Sequence, residues 1–210
     1  MIRILIADDH TIVREGLKQI LAETPDMAVA GEACNGQEVL EKIWKNDYDV
    51  VLLDISMPGR SGLDILKEIK SERPKISVLI LSMYSEEQYA IRALRAGASG
   101  YMTKEGAPDE LIEAIRKVSR GRKYISPSLA EKLAFNLESG SEKAPHEDLS
   151  DREYQVMCMI ASGKTIKEIA DELSLSVKTI STYRSRILEK MGMKSNAALT
   201  HYAMQNRLVD

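Results

Sequence analysis

The sequence predicts two domains of different class, an α/β domain with a five-stranded parallel sheet and a separate all-α domain of four helices. Up to about residue 120, short apolar runs rich in β-branched residues alternate with segments whose apolar residues recur at helical spacing. From residue 149 onward, helical spacing alone is found. A chain of 210 residues is long enough to bury two separate cores.

Five apolar runs are predicted to be strands that are buried on both faces. They are Ile2 to Ala7, Met27 to Ala33, Val50 to Leu53, Val78 to Leu81 and Gly100 to Thr103. A helical stripe follows each run, and the five stripes are Ile12, Leu17, Ile20 and Leu21; Val39, Leu40, Ile43 and Trp44; Leu63, Leu66 and Ile69; Ile91 and Leu94; and Leu111, Ile112 and Ile115. This alternation predicts a doubly wound parallel sheet with helices on both faces.

Polar side chains stand at the carboxyl ends of four of the predicted strands. Asp8 and Asp9 follow the first strand, Asp54 the third, Ser82 the fourth and Lys104 the fifth. In doubly wound sheets, reactive groups collect at this edge, near the point where the strand order reverses. Three clustered carboxylates require a cation, and hard oxygen ligands favour Mg²⁺, with the lysine as a further positive charge. Each residue alone also fits an ordinary helix terminus, turn or surface position, so the prediction depends on their convergence.

The motifs IADDH, VVLLDISMPGRSG, VLILS and GYMTKE make residues 1–120 resemble the receiver domain of bacterial two-component response regulators, a flavodoxin-like fold. The resemblance implies that Asp54 accepts a phosphoryl group from a phosphohistidine on a sensor histidine kinase. It also implies that Asp8, Asp9 and Asp54 hold Mg²⁺ together with the backbone carbonyl of Ser56.

The resemblance further implies how the phosphoryl group is bound and sensed. Lys104 would pair with the phosphoryl oxygens, Ser82 would donate a hydrogen bond to one of them, and Tyr101 would turn inward as a switch. Tyr101 is otherwise explained as a half-buried aromatic residue. Phosphoryl transfer to a carboxylate depends on positioning and on charge neutralisation, which the ion and the lysine can supply.

Residues 121–148 are predicted to connect the domains. Ser126 to Asn136 fits a short helix with Ser126 as its N-cap and a proline in the first turn. Leu137 to Pro145 is polar and lacks periodicity, which predicts a flexible tether.

Residues 149–210 predict four helices. A capping box of Ser150 and Glu153 opens the first, and Thr165 and Ser176 cap the second and third. The fourth is predicted over Asn196 to Gln205. The second and third helices and the tight turn between them form a helix-turn-helix, whose later helix would enter a major groove.

The charges give a divided prediction about DNA. Residues 146–210 hold nine basic and nine acidic residues, so bulk charge gives no support for nucleic acid. The third helix and its surroundings are locally basic, as contact with phosphates requires. Many small helical bundles with the same connectivity bind no DNA.

The stretch from LSDREYQVM to EKMGM, within residues 146–206, resembles the output domain of the LuxR/NarL/FixJ class. The resemblance implies that Lys178 and Thr179 meet phosphates of double-stranded DNA, while Ser181, Thr182 and Ser185 face bases. Arg186, from the locally basic region, is a further predicted DNA-binding residue. The Ser-Thr-Tyr triplet after Ile180 replaces a more basic or histidine-containing triplet found in many members, which leaves the target sequence open.

Together these features predict a cytoplasmic transcription regulator that becomes a homodimer when it is phosphorylated. The two cysteines fit reduced thiols, and no apolar run is long enough to cross a membrane. One alternative is a DNA-binding regulator that works without phosphate and has a vestigial acid pocket. Another is a Mg²⁺-dependent phosphohydrolase, but by resemblance such enzymes carry their nucleophile after the first strand, with a second aspartate two residues on. Apart from self-phosphorylation and self-dephosphorylation at Asp54, no enzymatic activity is expected.

Overall fold

The structure, a computed structural model, divides into two compact units, Met1–Ala130 and Glu131–Asp210. It describes residues 1–127, 129–131, 134, 144–206 and 208–209, without the side chains of 87 and 88. The functional boundaries at 1–120, 121–148 and 149–210 stay predictions.

The first unit contains one parallel sheet with the strand order β2-β1-β3-β4-β5, which confirms the predicted doubly wound sheet. The strands are β1 (Ile2–Ala7), β2 (Met27–Ala33), β3 (Val50–Asp54), β4 (Ser77–Ser82) and β5 (Gly100–Thr103). Because β2 and β3 lie on opposite sides of β1, the strand order reverses between β1 and β3. The carboxyl ends of these two strands therefore flank the crevice where such sheets place their ligands.

Five helices connect the strands. They are α1 (Thr11–Ala22), α2 (Gly36–Lys45), α3 (Gly62–Glu72), α4 (Glu86–Arg95) and α5 (Pro108–Ser119). Local signals explain several starts, since the side chains of Asn35 and Ser61 accept hydrogen bonds from the first turns of α2 and α3. Pro108 occupies the first turn of α5, where its missing N–H costs nothing.

The core of this unit lies on both faces of the sheet. One face packs against α1 and α5 through a cluster that includes Ile4, Leu21, Leu52, Leu79 and Ile115. Successive residues of a strand point to opposite faces, so the neighbouring strand residues line the second face. Those residues are also buried, and they include Leu5, Val51, Leu53, Val78 and Ile80. Burial on both faces explains the continuous apolar runs of β3 and β4. The same expectation is wrong for β2, which lies at the edge of the sheet and is buried only at Met27 and Ala33.

Some predicted core positions are wrong. Ile12 is 87% exposed and Trp44 is 50% exposed, although each has the helical spacing of its stripe. Ile91 and Leu94 are half-buried, and the core of α4 consists of Tyr89, Ala90 and Ala93. Spacing assigns a residue to a helix face, whereas burial also requires a neighbouring element to cover that residue.

The segment after α5 returns to the edge of the sheet. Tyr124 forms a parallel bridge with Gly100 of β5, and its backbone N–H donates to the Ser99 carbonyl (2.9 Å). The Ser126 hydroxyl accepts from the Leu129 N–H (3.2 Å), as expected of an N-cap. Much of the helix predicted up to Asn136 lies outside the described residues, as do residues 137–143 of the predicted tether.

The second unit contains a short 3₁₀ helix, Pro145–Asp148, and the four predicted helices. These are α6 (Asp151–Ala161), α7 (Ile166–Glu172), α8 (Val177–Lys190) and α9 (Asn196–Gln205). Ser150 and Glu153 form the predicted capping box of α6, and Thr165 with Glu168 forms a second box at α7. α6 packs against α8 and α9, while α7 packs against α8, which gives the helix-turn-helix arrangement.

Two smaller expectations also have outcomes. Both cysteines are free thiols, but Cys34 is not in apolar surroundings, because its thiol donates to the Glu38 carboxylate (3.0 Å). In the described part of the chain, no helix is both long and apolar enough to cross a membrane.

Candidate functional site

Two buried carboxylates and one buried lysine meet at the carboxyl edge of the sheet. Asp54 is the last residue of β3, Asp8 follows β1, and Lys104 follows β5. The Lys104 ammonium lies 2.6 Å from Asp8 Oδ2 and 2.8 Å from Asp54 Oδ2. Only 2% of Asp8, 1% of Asp54 and 6% of the lysine side chain are exposed. The lysine therefore neutralises two acids that could not otherwise be buried together.

The loop after β3 wraps closely around Asp54. The Ser56 backbone N–H donates to Asp54 Oδ1 (3.1 Å), and the Gly62 N–H donates to the Ile55 carbonyl (3.1 Å). A Cβ atom on Gly62 would lie 2.3 Å from the Asp54 carbonyl oxygen, so only glycine allows α3 to start this close. The loop thus fixes the orientation of the Asp54 carboxylate.

Burial and charge have opposite effects on the groups of this pocket. Burial raises the pKa of Asp54 above its usual range, and the Lys104 charge offsets only part of that rise. Burial alone would lower the pKa of Lys104, but the Asp54 and Asp8 carboxylates outweigh burial and hold that pKa above its usual value. The lysine is therefore a permanent cation at neutral pH.

The acids fit a divalent cation. One ligand atom from each of Asp8, Asp9, His10 and Asp54 lies within 4.8 Å of the others. Asp9 Oδ1 lies 3.1 Å from His10 Nδ1 without hydrogen-bond geometry, so within the described structure this buried acceptor has no hydrogen-bond partner. Carboxylate oxygens at one buried edge are the ligand set that Mg²⁺ and similar hard ions take. The metal role of the Ser56 carbonyl stays a prediction.

His10 belongs to this cluster and was missed by sequence reasoning. It is the residue before α1, where a side-chain cap is common, yet its imidazole makes no cap hydrogen bond. Its Nδ1 instead lies 3.2 Å from Asp8 Oδ1, and its backbone N–H donates to the same oxygen (2.8 Å). The available signal was its position directly after the acid pair in the motif IADDH.

A short segment after β4 connects the pocket to Tyr101. The buried Ser82 hydroxyl accepts from the Tyr84 N–H (3.1 Å), and the Tyr84 carbonyl accepts from the Tyr101 hydroxyl (2.8 Å). Tyr101 is fully buried rather than half-buried, so its ring already points inward in this structure, and burial raises the pKa of its hydroxyl. Its role as a switch stays a prediction. The Tyr84 ring stacks on Tyr89 of α4, with ring centroids 4.7 Å apart. Movement of Ser82 would therefore alter the contacts of Tyr84 with Tyr101 of β5 and with Tyr89 of α4.

One face of α8 is exposed and polar, while the opposite face is anchored in the core by Ile180 and Ile187. The exposed residues include five of the six predicted DNA contacts, which are Lys178, Ser181, Thr182, Ser185 and Arg186. Thr179 is half-buried, and its hydroxyl lies 2.8 Å from the hydroxyl of the N-cap residue Ser176. The predicted groove-facing residues thus share one side of one helix.

The hydroxyl groups on this face are held by their own helix. Thr182 Oγ1 donates to the Lys178 carbonyl (2.9 Å), and Ser185 Oγ donates to the Ser181 carbonyl (3.1 Å). Their oxygen lone pairs remain available as acceptors. Arg184 Nε donates to Asn196 Oδ1 (2.6 Å), which fixes its guanidinium at the start of α9.

The first domain is a doubly wound α/β domain with an acid pocket, and the second is a helix-turn-helix domain. The chain matches the response regulator receiver domain family over residues 4–116 and the LuxR family of bacterial regulatory proteins over residues 147–203. It therefore belongs to the response regulators with a LuxR-type output domain, and it is a DNA-binding transcription regulator.

Full-length relatives agree with both domain matches. The chain is 40% identical over 210 residues to the response regulator GacA of Pseudomonas protegens, covering 100% of this chain and 99% of that protein. It is 36% identical to the response regulator UvrY of Escherichia coli K12, covering 99% and 96%. A structure of RcsB from Salmonella enterica serovar Typhimurium, bound to promoter rprA with the phosphomimetic BeF3-, is 29% identical, with a TM-score of 0.64 and coverage of 96% and 98%.

Proposed function

We propose that Asp54 is the residue that accepts the phosphoryl group and that a sensor histidine kinase is the donor. The observation that supports this most strongly is the bridge that Lys104 forms between Asp54 and Asp8 at the carboxyl edge of the sheet. This edge holds the acids and a cation together in a buried position, where electrostatic interactions are strong. The relatives are named response regulators, which supports the same chemistry.

The chain's own residues would perform the transfer as follows. An Asp54 oxygen attacks phosphorus in line with the bond to the kinase imidazole, the new P–O bond forms, and the P–N bond breaks. Lys104 contacts the Asp54 carboxylate before the transfer, and from the same position its ammonium could stabilise the negative charge on the phosphoryl oxygens. The Ser56 N–H holds the other side of the carboxylate. Mg²⁺, bound by Asp8, Asp9 and Asp54 with the Ser56 carbonyl, would neutralise charge on the phosphoryl oxygens.

Phosphorylation would be sensed through Ser82 and Tyr101. The acyl phosphate adds acceptor oxygens beside the Ser82 hydroxyl, which then becomes a donor to the phosphoryl group. In the present state this hydroxyl accepts from the Tyr84 N–H, and Tyr84 in turn accepts from Tyr101. A rotation at Ser82 therefore releases the Tyr84 backbone, and this changes the surface formed by α4 and β5.

The output is contact with double-stranded DNA through α8. Lys178, Thr179 and Arg186 would meet phosphates, while Ser181, Thr182 and Ser185 would face base edges as hydroxyl groups. We further propose that the phosphorylated chain acts in the cytoplasm as a homodimer that reads a site of two-fold symmetry. The RcsB–promoter complex supports DNA as the partner of this class of domain.

A regulator that binds DNA without phosphate control is the second candidate. The Lys104 bridge and the clustered acids favour phosphorylation. Placing Asp8, Asp9 and Asp54 together at this edge costs stability, and charge clusters of this kind are concentrated at functional sites. The only reactions that we propose for the chain itself are the phosphorylation and dephosphorylation of its own Asp54.

Phosphorylation of Asp54→Asn tests the assignment. The full chain is incubated with Mg²⁺ and the small donor phosphoramidate, and intact mass counts the phosphoryl groups. We expect up to one group on the native chain and none on the variant. The matched control is Asp47→Asn, which changes a carboxylate that is 96% exposed, and it should behave as the native chain does. Equal phosphorylation of Asp54→Asn and the native chain would refute the assignment.

A further inference from the structure

Two lysines lie together at the edge of the sheet opposite the acid pocket. Lys70, in the last turn of α3, donates through Nζ to the Ile76 carbonyl (2.5 Å), just before β4 begins. Lys123 Nζ donates to the Ala98 carbonyl, just before β5 begins. β4 and β5 are parallel neighbours, so the two carbonyls that precede them lie at the same end of the sheet. The two amines that donate to these carbonyls are therefore neighbours as well.

In the described part of the chain, neither amine has an acidic partner. Among the residues that the structure describes, the only acceptors for these two side chains are the two backbone carbonyls. Some other lysines have acidic partners, for example Lys18 with Glu32 and Lys190 with Glu153. A half-buried lysine beside a second cation, with no carboxylate, is an unusual arrangement because burial and repulsion both oppose its charge.

The electrostatics of Lys70 follow from this arrangement. Burial lowers the pKa of Lys70, and the charge of Lys123 lowers it further. Partial burial of the Lys123 amine also lowers the pKa of Lys123. Lysines that are desolvated or placed beside another cation become nucleophiles, because more of the amine is neutral at a given pH.

The position of Lys70 is also fixed. Its side-chain stem lies against Gly97, where an added Cβ atom would stand 3.0 Å from Lys70 Cγ. Gly97 has a φ of +104°, so the backbone conformation itself favours glycine at this point. A neutral Lys70 amine can still donate a hydrogen bond to the Ile76 carbonyl, and its lone pair is then available for reaction.

We propose that Lys70 is an acyl-acceptor site, activated by Lys123 and oriented by Gly97 and the Ile76 carbonyl. The donor class is an acyl phosphate. The Lys70 nitrogen attacks the acyl carbon and forms an amide bond, the bond from that carbon to the phosphate oxygen breaks, and inorganic phosphate leaves. The proton lost from the nitrogen passes to solvent. The amide removes the charge that burial and Lys123 disfavour.

This site is independent of phosphorylation, because it lies at the amino ends of the strands and Asp54 lies at a carboxyl end. Acetyl phosphate reacts with the full chain over a range of pH, and peptide mass spectrometry follows each lysine. The exposed Lys75 is the internal reference, and the midpoint of each rate–pH profile is the readout. A midpoint is unaffected by how freely the reagent reaches the amine, so a difference in access alone cannot mimic activation, and the Lys123 variants separate the effect of the neighbouring charge from that of burial.

We expect the midpoint for Lys70 at lower pH than that for Lys75. Lys123→Met should raise the Lys70 midpoint and slow its acylation at pH 8 by about threefold or more, whereas Lys123→Arg keeps the charge and the low midpoint. Circular dichroism verifies that each variant is folded. A Lys70 midpoint equal to that of Lys75, or one that Lys123→Met leaves unchanged, would overturn the proposal. Asp54→Asn should retain the Lys70 reaction, so this inference and the phosphoacceptor assignment can fail separately.

Discussion

Replacement of Lys104 by methionine tests the electrostatic basis of the acid pocket. The variant keeps the length of the side chain but removes the cation that lies 2.6 Å from Asp8 and 2.8 Å from Asp54. Removing one partner of a buried ion pair costs about 3–5 kcal/mol, since the remaining charge has no compensation. Both carboxylates are at least 98% buried, so little of this cost is screened by water.

In the full chain, the loss of stability of the first unit can be measured separately from that of the second. Trp44 is the only tryptophan of the chain and belongs to α2, so its fluorescence during urea unfolding reports on the receiver. With a urea m-value of about 2 kcal/mol/M, the expected loss moves the midpoint down by roughly 2 M. The control is Arg116→Met, which removes an ion pair to Asp26 whose partners are 44% and 49% exposed, and it should cost no more than about 1 kcal/mol.

The deficit of Lys104→Met should also depend on pH. Because the folded pKa of Asp54 is raised, its protonated form stabilises the fold at low pH, and this stability is lost as pH rises through that pKa. Without the lysine, the folded pKa rises further. The difference between native chain and variant should therefore be largest at neutral pH and shrink toward pH of about 4. Added Mg²⁺ should stabilise the variant more than the native chain. A deficit no larger than that of Arg116→Met, and independent of pH, would refute this reasoning.

Three further predictions concern the loop, the output domain and the DNA contact. Gly62→Ala places a methyl group 2.3 Å from the Asp54 carbonyl, and it should cost about 1–3 kcal/mol in urea unfolding and slow phosphorylation, whereas Gly16→Ala, with nothing within 4 Å, should do neither. Ser150→Ala removes the acceptor of the Glu153 N–H and should lower protection of α6 amides in hydrogen exchange by about 0.5–2 kcal/mol; unchanged protection would contradict the capping role. Lys178→Gln should reduce the slope of log affinity against log salt by about 1, with the same preferred DNA sequence. A variant that altered the preferred sequence would mean that Lys178 reads bases.

The sequence predicted those parts of the fold that have a strong local signal. All five strands lie where the apolar runs placed them. For β3 and β4 the reason is burial on both faces, which requires continuously apolar residues, whereas the edge strand β2 is buried only at Met27 and Ala33. The convergence of Asp8, Asp54 and Lys104 also followed, since the carboxyl ends of parallel strands share one edge. The capping boxes of α6 and α7 were equally local signals.

The remaining features depend on contacts that spacing does not encode. Ile12 has the correct spacing but is not covered by a neighbour, and His10 joins the acid cluster only through its side-chain direction. The return of Tyr124 to the edge of β5 is a long-range pairing that involves a single bridge. The Lys70–Lys123 pair likewise arises from the order of β4 and β5, which brings together residues 53 positions apart.

The most direct test of phosphorylation control is to measure DNA affinity and solution mass on the same sample. The full chain is compared with and without Mg²⁺ plus beryllofluoride, a mimic of the phosphoryl group, and Asp54→Asn is measured in parallel. The proposed mechanism predicts that the mimic produces a dimer that binds its DNA site more tightly, and that Asp54→Asn shows neither change. Unchanged mass and affinity in the native chain would contradict control by phosphorylation and would favour a regulator that binds DNA without it.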